Sequence, residues 1–282
     1  MSRFVAAACQ LDSRDDKAAN VERALELLDE AAADGADFVA FPEMTTFIGP
    51  EERFAEVAES LDGPTIQRFS EKAREHGVFV HTGSFFERIP NSDRVYNTSA
   101  LIGPSGEVLD TYRKVHLFDI ELDGSVEHRE SDHVAPGDQT VTVDTDLATF
   151  GLSICYDLRF PGLYRTMAQS GANVLLVPAA FTMHTGKDHW EPLLRARAIE
   201  NQAYVIAPGQ IGDKPSWVET YGRTLVVDPW GNVISKARDR EEVVTATIDL
   251  SHLDDIRHDM QTLQHARPDV YERSDEVSRG SE

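Results

Sequence analysis

Three apolar stretches of the sequence each end at a side chain that can take part in chemistry. Glu43 follows Phe-Val-Ala-Phe-Pro, Lys114 follows a stretch that ends in Tyr-Arg, and Cys155 follows Gly-Leu-Ser-Ile. The sites of open α/β sheets lie at the carboxyl ends of strands, so we expect these three side chains to meet there. A thiol, a carboxylate and an amine would supply a nucleophile, a general base and a cation that stabilises a developing oxyanion. Each residue also has a plainer interpretation, as a packed cysteine, a surface glutamate or a solvated lysine.

The spacing of apolar residues predicts the elements that must hold these side chains. Runs of strand length alternate with stretches in which apolar residues recur every three to four positions, the period of an amphipathic helix. Turn residues at 103–106 and 229–232 predict two antiparallel hairpins. The predicted strands cover 4–11, 37–42, 78–85, 97–102, 108–115, 149–155, 173–178, 203–207, 222–227 and 233–237, the helices 21–35, 65–76, 160–170 and 188–201, and a polar loop 119–138. This order predicts an α/β fold with one mixed sheet or two sheets.

The domain boundary is expected near the carboxyl end of the chain. No internal repeat, low-complexity tract or linker-like stretch divides the sequence before that point. We therefore expect one domain over residues 1–262, followed by a polar tail over 263–282 that is either flexible or crosses to a partner subunit.

The composition narrows the class of protein. Of the 282 residues, 41% are hydrophobic, and 27 Lys plus Arg stand against 49 Asp plus Glu, which gives a net charge of −22. A negative surface repels phosphates, so we expect no nucleic acid and no membrane as a partner. Two cysteines, Cys9 and Cys155, cannot form a disulfide framework and indicate a reducing compartment. Because we find no signal-peptide core and no run of about twenty apolar residues, we expect a cytoplasmic protein without a transmembrane helix.

Lysine is scarce among the basic residues. Six of the 27 are Lys and the rest are Arg. A surface dense in carboxylates and poor in Lys stays solvated when salt screens its self-repulsion, which leads to the hypothesis of a halophilic protein in a high-salt cytosol. The alternative is an ordinary acidic enzyme.

The sequence around each of the three candidate residues follows a known pattern. The segments are Phe-Pro-Glu-Met around Glu43, Tyr-Arg-Lys-Val-His-Leu-Phe-Asp around Lys114 and Gly-Leu-Ser-Ile-Cys-Tyr-Asp-Leu-Arg-Phe-Pro around Cys155. In this order they resemble the signature stretches of the carbon-nitrogen hydrolase (nitrilase) superfamily. The resemblance extends to Pro-Gly-Asp at 136–138, to residues 195–201 of the predicted helix 188–201, and to Asp-Pro-Trp-Gly at 228–231. The Cys-Tyr-Asp-Leu-Arg-Phe form is similar to the Nit-type omega-amidase-like branch rather than to true nitrilases, in which Cys-Trp-Glu is usual.

The resemblance implies both a fold and a mechanism. The fold is a four-layer α-β-β-α sandwich with mixed sheets, and the triad is Glu43, Lys114 and Cys155. Glu43 would accept the Cys155 proton as the thiolate attacks an amide carbon, while Lys114 and the backbone N–H of Tyr156 would stabilise the tetrahedral oxyanion. Ammonia would leave with a proton from Glu43, and water activated by the same carboxylate would hydrolyse the thioester. We expect no metal and no cofactor.

A second glutamate is usual in this superfamily between the lysine and the cysteine. Glu127 and Glu130 are both available. Glu130 is preferred because its distance from the Pro-Gly pair at 136–137 resembles the family spacing, and it would then hydrogen-bond Lys114 and orient it. Glu127 would be a solvated loop residue.

Substrate recognition is expected close to the nucleophile. The resemblance to amidases of this branch implies that Arg159 holds a substrate carboxylate. A guanidinium suits bidentate binding of that group. The alternative is a structural pair between Arg159 and an aspartate such as Asp157. Thr185, placed on a loop after the strand at 173–178, would be a second contact. Tyr156, Phe181 and Met183 would wall the pocket or simply pack in the core.

Two other groups of residues receive plainer interpretations. The spacing of His116, His184 and His189 fits no zinc-binding pattern, so we interpret them as scattered surface or pocket histidines. Cys9 lies within the first predicted strand and is expected to pack in the core.

The predicted function is hydrolysis of the amide bond of a small, carboxylate-bearing molecule to an acid and ammonia. The alternatives are hydrolysis of N-carbamoyl amino acids or amines, a nitrilase, or a catalytically silent ligand-binding or assembly protein of the same fold. The resemblance also implies a homodimer or higher homo-oligomer, built through the helices at 160–170 and 188–201.

Overall fold

Two large β-sheets packed face to face, with helices on both outer faces, make up most of the described structure, and two further sheets have two strands each. Its structure, a computed structural model, describes residues 3–122, 126–214 and 219–271. One helix layer covers each large sheet, so the four-layer α-β-β-α sandwich is confirmed.

Both large sheets are mixed. In the described residues the strands are β1 (Arg3–Gln10), β2 (Phe38–Ala40), β3 (Phe79–His81), β4 (Phe85–Arg88), β5 (Val95–Ile102), β6 (Val108–Arg113), β7 (Asp119–Leu122), β8 (Val126–Arg129), β9 (Val134–Ala135), β10 (Val141–Asp144), β11 (Thr149–Leu152), β12 (Val174–Leu176), β13 (Tyr204–Ala207), β14 (Ile211–Gly212), β15 (Thr220–Tyr221), β16 (Leu225–Val227), β17 (Val233–Lys236) and β18 (Glu242–Asp249). The first sheet has the order β18-β1-β2-β3-β5-β4, with β6 and β9 also paired to β5, and the second has the order β10-β11-β12-β13-β16-β17. Strands β1 to β3 run parallel in the first sheet, and β11 to β13 run parallel in the second.

The longer helices cover the outer faces of the sheets, and short helices lie in the connections. They are α1 (Lys17–Ala33), α2 (Phe54–Val57), α3 (Pro64–His76), α4 (Glu130–His133), α5 (Pro161–Gln169), α6 (Met183–Asn201), α7 (Leu250–Asp259) and α8 (Pro268–Tyr271), with 3-10 turns at Glu51–Arg53 and Cys155–Arg159. Within the described residues no helix has the length and apolar character needed to cross a membrane.

The core lies in two layers because alternate residues of a strand face opposite sides of its sheet. Phe38 of β2 stacks on Phe150 of β11 with ring centroids 4.7 Å apart, which joins the two sheets. On the other face of the first sheet, Cys9 of β1 packs in the cluster that includes Leu28 of α1 and Phe69 of α3. The predicted core position of Cys9 is therefore confirmed.

The helix ends follow from local chemistry. Asp16 caps α1, since its side chain accepts a hydrogen bond from the Ala19 N–H. Pro64 occupies the first turn of α3, and Gly77 ends that helix with a φ of 67°, a left-handed conformation that glycine adopts without steric cost. These signals explain why both helices could be predicted from the sequence.

The predicted strand at 78–85 is split into β3 and β4. Both pair with β5, on adjacent stretches of it, and Gly83 lies between them with a φ of 70°. A Cβ at Gly83 would lie 1.9 Å from the carbonyl oxygen of Pro42. The break therefore lets this chain segment pass against the residue that precedes Glu43.

The prediction of a polar loop at 119–138 is wrong. This segment contains the antiparallel β7–β8 pair, α4 and β9. These elements are only two to four residues long, so apolar periodicity carries no signal for them. The sequence analysis also missed β18, which pairs with β1 along its whole length from Arg3 to Gln10.

The predicted single domain remains a prediction, although the pairing of β18 with β1 joins the two ends of the folded chain within one sheet. Of the predicted tail at 263–282, the structure describes residues up to 271, including α8. The rest of the tail lies outside the described residues.

Candidate active site

The backbone around Glu43 is held from two sides. Glu43 lies three residues beyond the end of β2. The Thr45 hydroxyl donates to the carbonyl oxygen of Pro42 (2.7 Å), and the Gln210 side-chain amide donates to the carbonyl oxygen of Glu43 (3.0 Å). These bonds fix the direction in which the Glu43 side chain leaves the sheet.

The Glu43 carboxylate is buried and accepts three hydrogen bonds. Its Oε1 accepts from Asn97 Nδ2 (3.0 Å) and from Lys114 Nζ (2.9 Å), and its Oε2 accepts from the Ala180 N–H (2.9 Å). Only 1% of the residue is exposed. A buried carboxylate that accepts from one charged and two neutral donors, with both oxygens engaged, is held in one orientation.

Lys114 begins the chain segment that follows β6. Its N–H donates to the carbonyl oxygen of Asn97 (2.9 Å), and its carbonyl oxygen accepts from the Gly137 N–H (2.8 Å). A Cβ at Gly137 would lie 2.2 Å from the carbonyl oxygen of Arg113, so this close approach requires glycine. The Pro-Gly pair at 136–137 thus supports the backbone of Lys114.

The Lys114 ammonium lies between two carboxylates. Nζ is 2.9 Å from Glu43 Oε1 and 3.0 and 2.9 Å from the two oxygens of Glu130. Burial alone would lower the pKa of Lys114, but the Glu130 and Glu43 carboxylates outweigh it and raise the pKa well above its ordinary value. The ammonium is therefore charged at neutral pH.

Glu130, the first residue of α4, is placed to orient Lys114. Besides its bonds to the ammonium, its Oε2 accepts from the Phe118 N–H at 2.6 Å. Only 3% of the residue is exposed. The Glu127 side chain lies outside the described residues, so the choice between the two glutamates in turnover remains a prediction that favours Glu130.

Cys155 begins a 3-10 turn rather than ending a strand. The strand predicted over 149–155 ends at Leu152, and Cys155 has a φ of 49°, which is uncommon for any residue but glycine. Its N–H donates to the carbonyl oxygen of Pro178 (2.8 Å).

Burial raises the pKa of the Cys155 thiol well above its ordinary value. The Glu43 carboxylate raises this pKa further, and the Lys114 ammonium opposes both effects. At neutral pH the resting group is a thiol.

The triad candidates open onto one common cavity. The residues that line it are Glu43, Met44, Lys114, Phe118, His128, Glu130, Cys155, Tyr156, Arg159, Ala180, Phe181, Thr182 and Thr185. Of the residues that the sequence analysis named for the site, those that line the cavity are Glu43, Lys114, Glu130, Cys155, Tyr156, Arg159, Phe181 and Thr185. Met183 is not among the lining residues, and Thr185 belongs to the first turn of α6 rather than to a loop.

Arg159 lies beside aromatic rings at this cavity. Its guanidinium carbon is 5.4 Å from the ring centroid of Phe181 and 5.8 Å from that of Tyr156, and its Nη1 is 3.3 Å from His189 Nδ1. Asp157, the alternative partner from the sequence, accepts its hydrogen bonds from Tyr112, His116 and Ile154 instead. The Arg159 guanidinium is therefore not paired with Asp157 and is placed to contact a ligand in the cavity.

One group of side chains with the spacing of metal ligands lies outside the cavity. In the described parts of the chain, Asp29, Glu75 and His76 are the three acidic or histidine side chains close enough to share a metal ion. Both carboxylates already pair with Lys72, at 2.8 and 3.1 Å. None of these residues lines the cavity, so the cluster is explained by surface ion pairs.

The sequence analysis missed two buried amides that support the site. Asn97 bridges Glu43 and Glu130, at 3.0 and 3.5 Å, and Gln210 contacts the backbone of Glu43. Asn97 is the third residue of β5, a strand whose residues are almost all buried. A large polar side chain in such a strand must find hydrogen-bond partners inside the protein, and this signal could have been followed.

The layered fold and the buried thiol, carboxylate and ammonium together define a hydrolase that acts on carbon–nitrogen bonds. The model of the carbon-nitrogen hydrolase family matches residues 5–258. The chain belongs to this family.

Known proteins support a narrower placement within the superfamily. The chain is 40% identical over 273 residues to the omega-amidase NIT2 of Mus musculus, covering 96% of this chain and 98% of that protein. It is 40% identical over 268 residues to the deaminated glutathione amidase of Synechocystis sp., covering 94% and 98%. Nit3 of Saccharomyces cerevisiae, a member of branch 10 of the nitrilase superfamily, has a crystal structure with a TM-score of 0.83 and 32% identity, covering 92% and 94%. The predicted superfamily and its Nit-type branch are confirmed.

Proposed function

We propose that the protein is an amidase that hydrolyses the terminal amide of a small, carboxylate-bearing molecule to an acid and ammonia. The observation that carries this proposal is the meeting of Cys155, Glu43 and Lys114 at one cavity that Arg159 also lines. The 40% identity to an omega-amidase and to a deaminated glutathione amidase supports the same class of substrate.

The first half of the reaction acylates Cys155. Because the raised pKa keeps the thiol protonated, Glu43 takes the proton as the sulfur bonds to the amide carbon. The carbonyl electron pair moves to oxygen, where Lys114 and the Tyr156 N–H stabilise the negative charge. When the intermediate collapses, the C–N bond breaks, and the proton on Glu43 passes to the leaving nitrogen to form ammonia.

The second half releases the acid. Glu43, now ionised again, takes a proton from a water molecule as the water oxygen attacks the thioester carbon. The C–S bond then breaks and the proton returns to the Cys155 sulfur. The residues of the chain are thereby restored, with Glu130 and Asn97 holding Lys114 and Glu43 in place throughout.

Arg159 gives the substrate its second point of attachment. Its guanidinium can bind a carboxylate bidentately, and the Thr185 hydroxyl, which also lines the cavity, can donate to the same group. A substrate with an amide at one end and a carboxylate at the other would place its amide at Cys155 and its carboxylate at Arg159.

A substrate panel tests this function. Ammonia release is followed with the ω-monoamides of short dicarboxylic acids, neutral amides of equal length, N-carbamoyl amino acids and nitriles. We expect the ω-monoamides to give the highest kcat/KM, with Cys155→Ala inactive and Cys9→Ala, the matched control at the other cysteine, active. Faster hydrolysis of carbamoyl compounds or nitriles would overturn the proposed substrate class, and no turnover of any compound would indicate a silent binding protein.

We also propose a homo-oligomer formed through α6 and its surroundings. Ile199 of α6, Trp230 and Met260 are 51%, 57% and 43% exposed and line one groove, and an apolar patch of this kind marks an interaction surface. Sedimentation should give a dimer or larger species that Ile199→Asp dissociates and Val108→Asp, at an exposed apolar residue outside the groove, does not. A monomeric parent protein would overturn this proposal.

We propose a reducing, salt-rich cytoplasm as the working environment. Both cysteines are free thiols, and the net charge of −22 calls for screening. The melting temperature should rise between low and molar salt. A melting temperature that does not change with salt would favour the ordinary acidic enzyme.

A further inference from the structure

Asp157 is a buried carboxylate that the proposed reaction does not use. It lies in the 3-10 turn after Cys155, is 0% exposed and is not among the residues that line the cavity. Four donors converge on its two oxygens. Oδ1 accepts from the His116 N–H (3.0 Å) and Nδ1 (2.7 Å), and Oδ2 accepts from the Ile154 N–H (2.9 Å) and the Tyr112 hydroxyl (2.7 Å).

Four donors match the four lone-pair positions of an ionised carboxylate. A carboxylate can only accept, so His116 carries a proton on Nδ1. Burial, with a further contribution from Asp157, raises the pKa of the Tyr112 phenol, which keeps that group a neutral donor. The Tyr112 hydroxyl and the two backbone N–H groups are therefore in the form that an ionised Asp157 requires.

The donors come from the two chain segments that carry the reacting groups. Tyr112 and His116 stand two residues before and two residues after Lys114, and Ile154 directly precedes Cys155. Lys114 follows β6 of the first sheet, whereas Cys155 follows β11 of the second. Asp157 thus ties together two segments that belong to different sheets.

The same carboxylate supports an uncommon backbone conformation. A left-handed φ in a residue other than glycine is strained and persists only where its surroundings determine it. Cys155 adopts such a φ, 49°, and the bond from the Ile154 N–H to Asp157 holds the peptide just before it. The Asp157 N–H in turn donates to the Ile154 carbonyl oxygen at 3.1 Å, which closes the turn.

From these contacts we infer that Asp157 is a positioning residue, which sets the separation of Cys155 and Lys114 by joining the segments that carry them. It acts through Tyr112, His116 and Ile154 and touches neither substrate nor the reacting atoms. This inference rests on the proposed function for its effect on turnover, while its effect on the Cys155 thiol can be measured without any substrate.

Asp157→Asn tests the inference, because the amide keeps the shape of the side chain but replaces one acceptor oxygen with a donor. The matched control is Asp228→Asn. Asp228 is also a buried aspartate, and it accepts from the Trp230 N–H and from two groups of Asn232 in the turn before β17, outside the cavity. Both variants should lose stability.

The readouts are kcat and KM for the best amide, normalised to folded protein, and the pH profile of Cys155 alkylation by iodoacetamide. Since misplacing reacting groups by about 1 Å can cost about 10²-fold, we expect Asp157→Asn to lose about 10²-fold in kcat with little change in KM. Its alkylation profile should shift along the pH axis. Asp228→Asn should keep both the wild-type kcat and the wild-type profile.

A wild-type kcat and alkylation profile in folded Asp157→Asn, or an equal change in Asp228→Asn, would overturn the inference. If Asp157→Asn does not fold, Tyr112→Phe removes a single donor, so we expect the same profile shift with a smaller loss of about tenfold in kcat. An unchanged Tyr112→Phe would then overturn it. If wild-type protein hydrolyses no amide, the proposed function fails, while the alkylation profiles still decide the role of Asp157.

Discussion

Lys114 Nζ lies 2.9 Å from Glu43 Oε1, with both side chains buried. In the proposed mechanism the ammonium therefore stabilises the ionised form of Glu43, the general base, before the reaction begins. Once Glu43 has taken the Cys155 proton, the carboxyl group is neutral and its attraction for Lys114 is lost. The positive charge of Lys114 is then available to stabilise the oxyanion. The same ion pair thus supports both the proton transfer and the tetrahedral intermediate that follows.

Glu43→Gln should abolish base catalysis while it keeps the shape of the side chain and an oxygen for Lys114. We expect kcat to fall by about 10²–10⁴-fold, the usual contribution of a positioned acid or base. Ammonia release checks this, with circular dichroism as the test of folding. Glu87→Gln is the matched control, because Glu87 is a buried glutamate that pairs with Arg113 at 2.6 Å outside the cavity. Equal loss of turnover in both variants would contradict the role of Glu43.

Glu130→Gln should weaken the hold on Lys114. The loss of one of two negative charges lowers the pKa of the ammonium and loosens its position, so we expect a fall in kcat of up to about 10²-fold. Turnover of Glu127→Gln, measured in parallel, should be close to that of the parent protein. An equal or greater loss at Glu127 would reject Glu130 as the second glutamate.

Arg159→Gln should separate substrates by charge. A hydrogen bond to a charged group contributes about 1.5–3 kcal/mol, so kcat/KM for a carboxylate-bearing amide should fall by about 10- to 10²-fold, mainly through KM. A neutral amide of the same length should lose little. If both substrates lose the same factor, Arg159 does not bind the carboxylate.

His81 should make stability depend on pH. The side chain is fully buried, and neither ring nitrogen has a hydrogen-bond partner in the described structure. Burial lowers the pKa of His81 from 6.5 to about 3, so the unfolded chain binds a proton at a higher pH than the folded one. The free energy of unfolding from urea titrations should therefore fall as the pH drops from 6.5 towards 3.

His81→Leu should show a shallower loss of stability over that pH range. His258→Leu, at an exposed histidine of α7, should retain the slope of the parent protein. Identical slopes in His81→Leu and the parent would show that protonation of His81 does not contribute.

The convergence of Glu43, Lys114 and Cys155 on one cavity could be predicted from the sequence because each residue follows an apolar run that forms a strand. The contacts between them could not. The Ala180 N–H that binds Glu43 is 137 residues away along the chain, and Asn97 is 54 residues away. Such partners depend on how the two sheets pack, which no local pattern reports.

The conformation of Cys155 escaped prediction for a similar reason. Its stretch of apolar residues is typical of a continuous strand, but the bonds from Cys155 to Pro178 and from Ile154 to Asp157 turn the chain into a 3-10 helix. Short polar elements such as β7 and β8 were missed because periodicity needs longer runs. The long amphipathic helices α1 and α3 were predicted because their caps and apolar faces are local properties.

The acyl-enzyme is the most direct test of the proposed mechanism. Protein mixed with an ω-monoamide is quenched in acid within milliseconds and digested, and the peptides are weighed by mass spectrometry. We predict that the peptide containing Cys155 gains the mass of the acyl group, that Cys9→Ala behaves alike, and that Cys155→Ala neither gains this mass nor releases ammonia. Ammonia release by Cys155→Ala at the rate of the parent protein, or an acyl group on another residue, would contradict the thioester mechanism.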